Sequence, residues 1–322
     1  MGSIPRKLLR ISSEEIRVAR RGFRVATPQA RQRIEDIGAC FLHGYHHALD
    51  AADTPSLLEQ LEAMPPKMKG FGYEGAAMAL YLMDRLHIFG GNRFASFIES
   101  RGGDHIYMAY VGAGWAHARL PFGLGAGLNR LDPLLRWLAL DGYGFHQGFF
   151  HWPKAIETPR QVPARVRGYA RRAFDQGLGR SLWFVDGQDV EALASSLSHF
   201  PAHRHADLWA GAGLAATYAG GADMDALAWL RQRAGRHAPW LAQGSAFAVK
   251  ARVRAGNLEP HSESACLALC GVDATTASSV VEQAQRDLPP DRVDQPAYET
   301  WRLRIRDKLM ALRPDHAGHL VA

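Results

Sequence analysis

The chain has 322 residues, of which 47% are hydrophobic, and a formal net charge of +6. This size and apolar content suffice for one large domain or an elongated repeat array. The basic residues form no long block and are not interleaved with aromatic residues, which argues against a nucleic-acid groove. No stretch approaches the roughly 18 to 20 apolar residues of a membrane span. With no apolar signal core and only three cysteines, the sequence predicts a cytoplasmic protein.

Residues 1–35 are predicted to form a basic segment that caps the fold. Ser12 and Glu15 have the spacing of a capping box, and a basic amphipathic stretch surrounds them. The simpler interpretation is a terminal helix with a solvated basic face. Docking to a membrane surface or to an acidic partner is the alternative.

The next feature is a series of glycines spaced by about one helical hairpin. Each glycine opens a run of small or aromatic residues, and successive spacings are 31, 37, 36, 29, 34 and 33 residues by subtraction. A period of about 34 residues is typical of two-helix repeats of the tetratricopeptide type. The glycines are Gly44, Gly75, Gly112, Gly148, Gly177, Gly211 and Gly244. The predicted fold is therefore all-α, a superhelical array of about seven degenerate tetratricopeptide-like hairpins.

Segments between these glycines carry the signals of second helices. TPSLLEQLEAM and DPLLRWLALDG begin with a capping residue followed by proline, and DVEALASSLSHFP and DMDALAWLRQRAG begin with aspartate. All four have apolar residues at helical spacing. We assign residues 36–271 to the repeats and residues 272–322 to two capping helices, within one structural domain.

Candidate functional residues are polar or aromatic side chains close to the repeat glycines. First helices of such repeats line the concave face, so these side chains are expected to converge there. Buried carboxylates and imidazoles are costly unless paired, so they form ion pairs between repeats or line a pocket. The predicted catalytic residues are Glu74, His146 and Asp175. The predicted substrate-binding residues are Tyr73, Trp115, Tyr143, Phe145, Gln147, Gln176, Arg180, Trp209 and Gln243.

For any single one of these residues, a structural role in the packing of the repeats is the stronger interpretation. The sequence contains no Walker loop, no dinucleotide fingerprint, no H-E-x-x-H and no G-x-S-x-G. His146 and His151 are five residues apart, which is not the spacing of two metal ligands on one helical face. We therefore predict no metal and no cofactor.

Several long strings resemble one bacterial family. They are GYEGAAMAL, HIYMAYVGAGWAHARLP, DGYGFHQGFF, FDQGLGRSLWFV, ADLWAGAGLAATYAGG and LAQGSAFAVKARV, in that order. The chain is similar through them to the domain-of-unknown-function family encoded beside enediyne polyketide synthases. The resemblance implies a role in the assembly of a polyketide-derived or similarly apolar natural product. It implies no catalytic residue.

Two functions follow as hypotheses. In the first, the concave groove binds an extended apolar polyene-like intermediate and assists its cyclisation or rearrangement, without a cofactor, by folding the chain and by acid–base catalysis. In the second, the array is a non-catalytic scaffold for a biosynthetic partner protein. Aromatic residues near the glycines and the scarcity of charge there favour the first.

Overall fold

A computed structural model of the chain describes residues 6–87, 90–158, 162–292 and 295–312. Within these residues the regular structure consists of α-helices and short 3-10 helices, with no β-strand. The prediction of an all-α protein is therefore confirmed. The superhelical array of about seven equal hairpins stays a prediction.

The described residues contain seventeen α-helices in chain order. They are α1 (Val18–Arg21), α2 (Pro28–Asp50), α3 (Thr54–Glu62), α4 (Pro66–Leu86), α5 (Arg93–Glu99), α6 (Ile106–Arg119), α7 (Leu124–Leu128), α8 (Arg136–Phe150), α9 (Trp152–Glu157), α10 (Ala170–Val185), α11 (Val190–Ser198), α12 (His205–Ala219), α13 (Met224–Ala234), α14 (Ala238–Arg254), α15 (Pro260–Cys270), α16 (Ala274–Gln285) and α17 (Ala297–Ala311).

The even-numbered helices α2 to α14 form one packed series, and we call them the inner helices. Each packs against the next, while α3, α5, α11 and α13 connect successive inner helices along the chain, and α15 follows α14. Contacts at both ends of a pair show that neighbours run in the same direction. In α8 and α10, for example, Asp141 contacts Gln176 at one end and Phe149 contacts Phe184 at the other.

Aspartate caps begin several of the connecting helices. The carboxylates of Asp53, Asp189 and Asp223 accept hydrogen bonds from backbone N–H groups at the starts of α3, α11 and α13. Such a cap satisfies donors that the helix itself leaves unpaired. The sequence predicted the caps of α11 and α13, whereas α3 is capped by Asp53, one residue before Thr54.

Glycines set the distance between the inner helices. A methyl carbon on any of six of them would come within 1.7–2.2 Å of a backbone carbonyl oxygen of the preceding inner helix. The backbones touch at these points because no side chain separates them. For the last five, that carbonyl belongs to the residue before the corresponding glycine of the preceding helix. The six are Gly75, Gly112, Gly142, Gly177, Gly211 and Gly244.

This register corrects two of the seven predicted repeat glycines. In α8 the corresponding residue is Gly142, because its backbone touches Val111, whereas Gly148 packs on the Ser181 side chain six residues further on. Gly44 instead touches the backbone of Gly72 in the following inner helix, α4. Gly144 and Gly179 make the same kind of contact with their following inner helices, so Gly44 belongs with them and not with the six. The segment DPLLRWLALDG is not a separate second helix either, since α8 continues through Asp141 and Gly142. Glycine there serves close packing and not a turn.

The inner series curls until its last member meets an early one. Arg252 of α14 donates a hydrogen bond from Nη2 to the carbonyl of Lys67 in α4, at 3.3 Å. Just beyond α14, Asn257 Nδ2 donates to the carbonyl of Pro66 at 3.1 Å. Phe71 of α4 also packs edge-on against Tyr218 of α12, with ring centroids 5.3 Å apart. The helices therefore surround an interior.

Terminal segments lie across this interior. Near the N-terminus, the Tyr45 hydroxyl donates to the carbonyl of Leu9 and the Arg24 N–H donates to the carbonyl of Val185, both at 2.7 Å. Near the C-terminus, α17 packs against α14 and α16, and Trp301 Nε1 donates to the carbonyl of Val281 at 2.8 Å. The predicted boundaries at residues 35/36 and 271/272 stay predictions.

No single helix in the described ranges is both long and apolar enough to cross a membrane. Helices α15 and α16 meet that requirement only when they are taken together, and the chain bends by 68° between them.

Candidate functional site

Two small apolar cavities lie inside the helical ring. One, the C-side cavity, has a volume of about 50 Å³ and is lined by residues of the inner helices α4 to α14 and by Trp301 of α17. The other, the N-side cavity, also has about 50 Å³ and is bounded by Ile11 and Ile16 of the N-terminal segment. Phe71, Arg180 and Phe184 line both cavities. They form the partition between two parts of one interior.

A buried ion pair lies at this partition. Arg180 Nη1 donates to Asp141 Oδ1, and both side chains are almost completely buried. Gln176 Nε2 donates to the second carboxylate oxygen of Asp141 at 2.8 Å. Arg180 also lies over the ring of Phe145, 4.9 Å from its centroid. Asp141 therefore neutralises Arg180 where the guanidinium crosses an otherwise apolar interior.

Glu74 is the second carboxyl group of the interior, and it lines the N-side cavity. Its Oε1 accepts a hydrogen bond from Trp115 Nε1 at 3.0 Å. Burial raises the pKa of Glu74 to about 7, although the positive charge of Arg180 and the hydrogen bond from Trp115 both act to lower it. Glu74 therefore exchanges its proton near neutral pH, unlike an exposed carboxylate.

A wider chamber of about 470 Å³ adjoins the N-side cavity, and we call it the vestibule. Ile11, Glu15, Trp115 and Phe150 line both spaces. The remaining lining side chains of the vestibule are mostly polar or basic. They include Arg10, Arg21, Arg119, His146 and His151.

The structure brings part of the predicted site together. Glu74, Trp115, Phe145 and Arg180 all line the N-side cavity. His146 lies in the adjoining vestibule, with its ring 5.6 Å from that of Trp115. Burial lowers the pKa of His146 to about 3, so its imidazole is neutral at physiological pH.

Other predicted residues lie away from both cavities. Asp175 forms a buried two-point ion pair with Arg204, and its Oδ2 accepts from Nε at 2.8 Å. Tyr73 donates its hydroxyl to Glu62 at 2.7 Å and stacks on His105. These contacts give Asp175 and Tyr73 structural roles.

The remaining predicted residues also have other surroundings. Tyr143 and Gln147 line a separate surface pocket, where Arg165 Nε donates to the Tyr143 hydroxyl at 2.9 Å. Trp209 is buried but lines neither interior cavity. Gln176 holds Asp141, and Gln243 Oε1 accepts from Arg302 Nε at 3.3 Å.

A second charged cluster joins α17 to the inner helices. Arg172 and Arg302 both contact Asp207 and Glu299, with hydrogen bonds of 2.7–3.2 Å. The Tyr169 hydroxyl donates to Glu299 at 2.7 Å. Each carboxylate thus has two cations beside it, which accounts for charge buried at this end of the interior.

Asp141, which pairs with Arg180 and lines the C-side cavity, is the interior carboxylate that the sequence did not single out. It precedes Gly142 as Glu74 precedes Gly75, and both carboxylates face the interior. The available signal was this shared position, but it becomes visible only when Gly142 is taken as the repeat glycine. Tyr218 and Trp301, which line the C-side cavity, had no comparable signal.

Comparison with protein families gives a match over nearly all of the chain. The model of the family described as "Protein of unknown function (DUF1702)" matches residues 1–309. The chain belongs to the DUF1702 family. The match covers the N-terminal segment as well as every inner helix, so the vestibule, both cavities and most of α17 lie within the DUF1702 region. No curated protein and no solved structure matches this chain.

Among the described residues, no three His, Cys, Asp or Glu side chains lie together in an arrangement that would hold a metal ion. The predicted absence of a metal and of a cofactor stays a prediction.

Proposed function

We propose that this DUF1702 protein binds an elongated apolar small molecule inside the helical ring and that Glu74 exchanges a proton with it. A cyclisation or rearrangement of a polyene-like intermediate is the reaction class that we favour. The setting that the sequence resemblance implies is natural-product biosynthesis of the enediyne-type polyketide class, in the cytoplasm.

The observation that carries the proposal is the state of Glu74. It is a buried carboxyl group on the wall of an apolar cavity, and its pKa of about 7 lies near the pH of a cell. A group with that pKa serves both as proton donor and as proton acceptor, and such catalysis contributes typically 10²- to 10⁴-fold to a rate. Within the described part of the chain neither an ion pair nor a helix cap explains Glu74, whereas Asp141 and Asp175 each have an ion pair.

Aromatic side chains around Glu74 suit a substrate that develops positive charge. Trp115 contacts both Glu74 and Phe145, with the two rings 5.2 Å apart. The faces of such rings stabilise a cation nearby. Because Asp141 neutralises Arg180, the repulsion between the guanidinium and a positive charge on the substrate is reduced.

An extended substrate needs more space than the two cavities offer. Each has about 50 Å³, and one water molecule occupies about 30 Å³ in the liquid. The inner helices are fixed by backbone contacts, so the movable wall is the N-terminal segment that carries Ile11 and Ile16. We propose that this segment moves outward when the substrate enters.

Replacement of Glu74 tests the proposal in the organism that makes the protein. Glu74→Gln keeps the shape of the side chain and removes the acid, and we expect an unreacted precursor to accumulate while the protein level is unchanged. Mass spectrometry of cell extracts measures the precursor. The matched control is Glu59→Gln on the exposed surface of α3, which should leave the metabolites unchanged.

An unchanged metabolite profile in cells with Glu74→Gln would contradict the acid–base role. If a small molecule still co-purifies with this variant, the function of the protein would be binding without catalysis. If no small molecule co-purifies with either form, the scaffold hypothesis, with a biosynthetic protein as partner, becomes the better one.

A further inference from the structure

We propose that the vestibule binds the carboxylate head of an amphiphilic substrate whose apolar chain extends into the N-side cavity. The inference rests on the proposed function and specifies its substrate class. Three features support it: the charges of the vestibule, its unpaired polar groups and its continuity with the N-side cavity.

Among the vestibule arginines, Arg119 differs from the other two. Arg10 is paired with Asp50 at 2.8 Å, and Arg21 is paired with Glu15 at 2.5 Å. Within the described part of the chain Arg119 has no carboxylate partner, and its one hydrogen bond runs from Nη1 to the Tyr45 hydroxyl at 3.4 Å. Arg119 is also exposed, so the remaining donors of its guanidinium face solvent and are open to a ligand. A planar guanidinium matches the two oxygens of a carboxylate better than any other side chain does.

His146 supplies a second unpaired polar group in the same space. Its side chain is only 9% exposed, and its Nδ1 is buried with no hydrogen-bond partner among the described residues. A buried polar atom without a partner costs free energy, which is recovered if the ring turns Nδ1 toward a ligand in the vestibule. The ring lies between Trp115 and Phe150, with centroid distances of 5.6 and 4.6 Å. As a neutral imidazole it binds a carboxylate oxygen through its N–H group.

The path from the head-group site to Glu74 is apolar. Trp115 and Phe150 line both the vestibule and the N-side cavity, and Trp115 also donates the hydrogen bond to Glu74. Trp115 and Phe150 contact each other edge-on, with centroids 5.8 Å apart, so a chain held by its carboxylate at Arg119 would pass along the wall that these two rings form. Fixing one end determines which carbon of the chain reaches Glu74.

Arg119 also has a structural explanation, and the test must distinguish that explanation from a role in ligand binding. It is the last residue of α6, where a cation counters the partial negative charge of the helix end. That role predicts a small effect on stability and no effect on which ligand binds. A ligand role predicts a loss that depends on the charge of the ligand head.

The experiment titrates the full-length protein with a fluorescent C18 conjugated tetraene carboxylic acid, with its methyl ester and with the phosphate ester of the matching alcohol. We expect wild type to bind the acid more tightly than the methyl ester, by about tenfold to a hundredfold. In Arg119→Gln this preference should disappear because the affinity for the acid falls to that of the ester. His146→Phe should reduce the same preference. Arg31→Gln, which changes an exposed arginine outside the vestibule, should leave the preference unchanged.

Equal affinity of wild type for acid and methyl ester would overturn the head-group site and leave the apolar interior as proposed. Tighter binding of the phosphate ester would assign the vestibule to a phosphate head instead. If Arg31→Gln lost the preference for the acid to the same extent, the preference would arise from the overall charge of the protein, and the proposal would be overturned. If neither the acid nor the ester binds to wild type, both this inference and the proposed binding function fail.

Discussion

The two ends of the interior use the same residue types in opposite ways. At the α17 end, Arg172 and Arg302 are paired with Asp207 and Glu299. At the N-terminal end, Arg119 has no carboxylate partner among the described residues, and His146 Nδ1 has no hydrogen-bond partner there. Charges that satisfy one another serve the fold, whereas polar groups left unsatisfied beside an apolar cavity are available to a ligand. Among the described residues Glu74 accepts a hydrogen bond from Trp115 but has no ion pair, which places it with the second group.

The largest expected effect comes from the paired end. Arg302→Met removes one cation from between two buried carboxylates, so we expect the free energy of unfolding to fall by about 3–5 kcal/mol. Denaturant unfolding followed by circular dichroism measures this. Lys308→Met, an exposed position on the same helix, is the control and should change little. A loss below about 1 kcal/mol for Arg302→Met would show that the cluster is not essential to the fold.

The next effect concerns Glu74 and depends on pH. Its pKa in the folded protein is about 7, against 4.5 for an ordinary glutamate. The protonated form is therefore favoured by folding, and this contribution is lost as pH rises from about 4.5 through 7. Glu74→Gln should match wild type at pH 4 and should be more stable than wild type by about 3 kcal/mol at pH 8.

Unfolding of both proteins at pH 4, 6 and 8 measures that difference in free energy. Because the other titrating groups are the same in both proteins, their contributions cancel. A difference that does not change with pH would mean that Glu74 has an ordinary pKa. The proton exchange on which the proposed function depends would then lose its basis.

A smaller effect is expected at the glycine contact between the ends. A methyl carbon on Gly177 would lie 1.7 Å from the carbonyl oxygen of Asp141. Gly177→Ala therefore pushes α8 and α10 apart and should cost about 1–3 kcal/mol or more, despite the higher helix propensity of alanine. Gly125→Ala in α7, where nothing lies within 4 Å, is the control. Equal melting temperatures for the two variants would contradict the close contact.

The smallest effect sharpens the comparison most directly. Arg119→Gln should change the free energy of unfolding by less than about 0.5 kcal/mol, because no buried acid loses its partner. Thermal unfolding of Arg119→Gln and of Arg302→Met under the same conditions compares the stability lost at the two ends of the interior. A loss of 2 kcal/mol or more would move Arg119 to the structural group.

The all-α fold was predictable because small residues recur at a hairpin period and aspartate caps mark connecting helices. The fourth repeat was not, because the pair Asp141–Gly142 has the composition of a turn. In the structure α8 runs through both residues, and Gly142 contacts the backbone of Val111. A local turn signal was overridden there by tertiary packing.

Three of the predicted residues that lie away from both cavities share one geometric reason. Tyr73, Asp175 and Trp209 each stand two residues before a register glycine, whereas Glu74, Asp141 and Gln176 stand one before. Because consecutive residues of an α-helix differ by about 100° in direction, that single step turns a side chain away from the interior. Proximity to a glycine in sequence was therefore informative only when combined with the helical angle.

The closing contact of the ring also has a consequence for folding kinetics. Successive inner helices meet through residues about one hairpin apart in the chain, but the hydrogen bond between Arg252 and Lys67 joins residues separated by 185 positions. The entropy lost in forming a loop grows with the logarithm of its length, which adds about 1.5 kcal/mol for this contact relative to a neighbouring pair. We therefore expect helices to associate in chain order and the ring to close last. The interior becomes separated from water only in that final step.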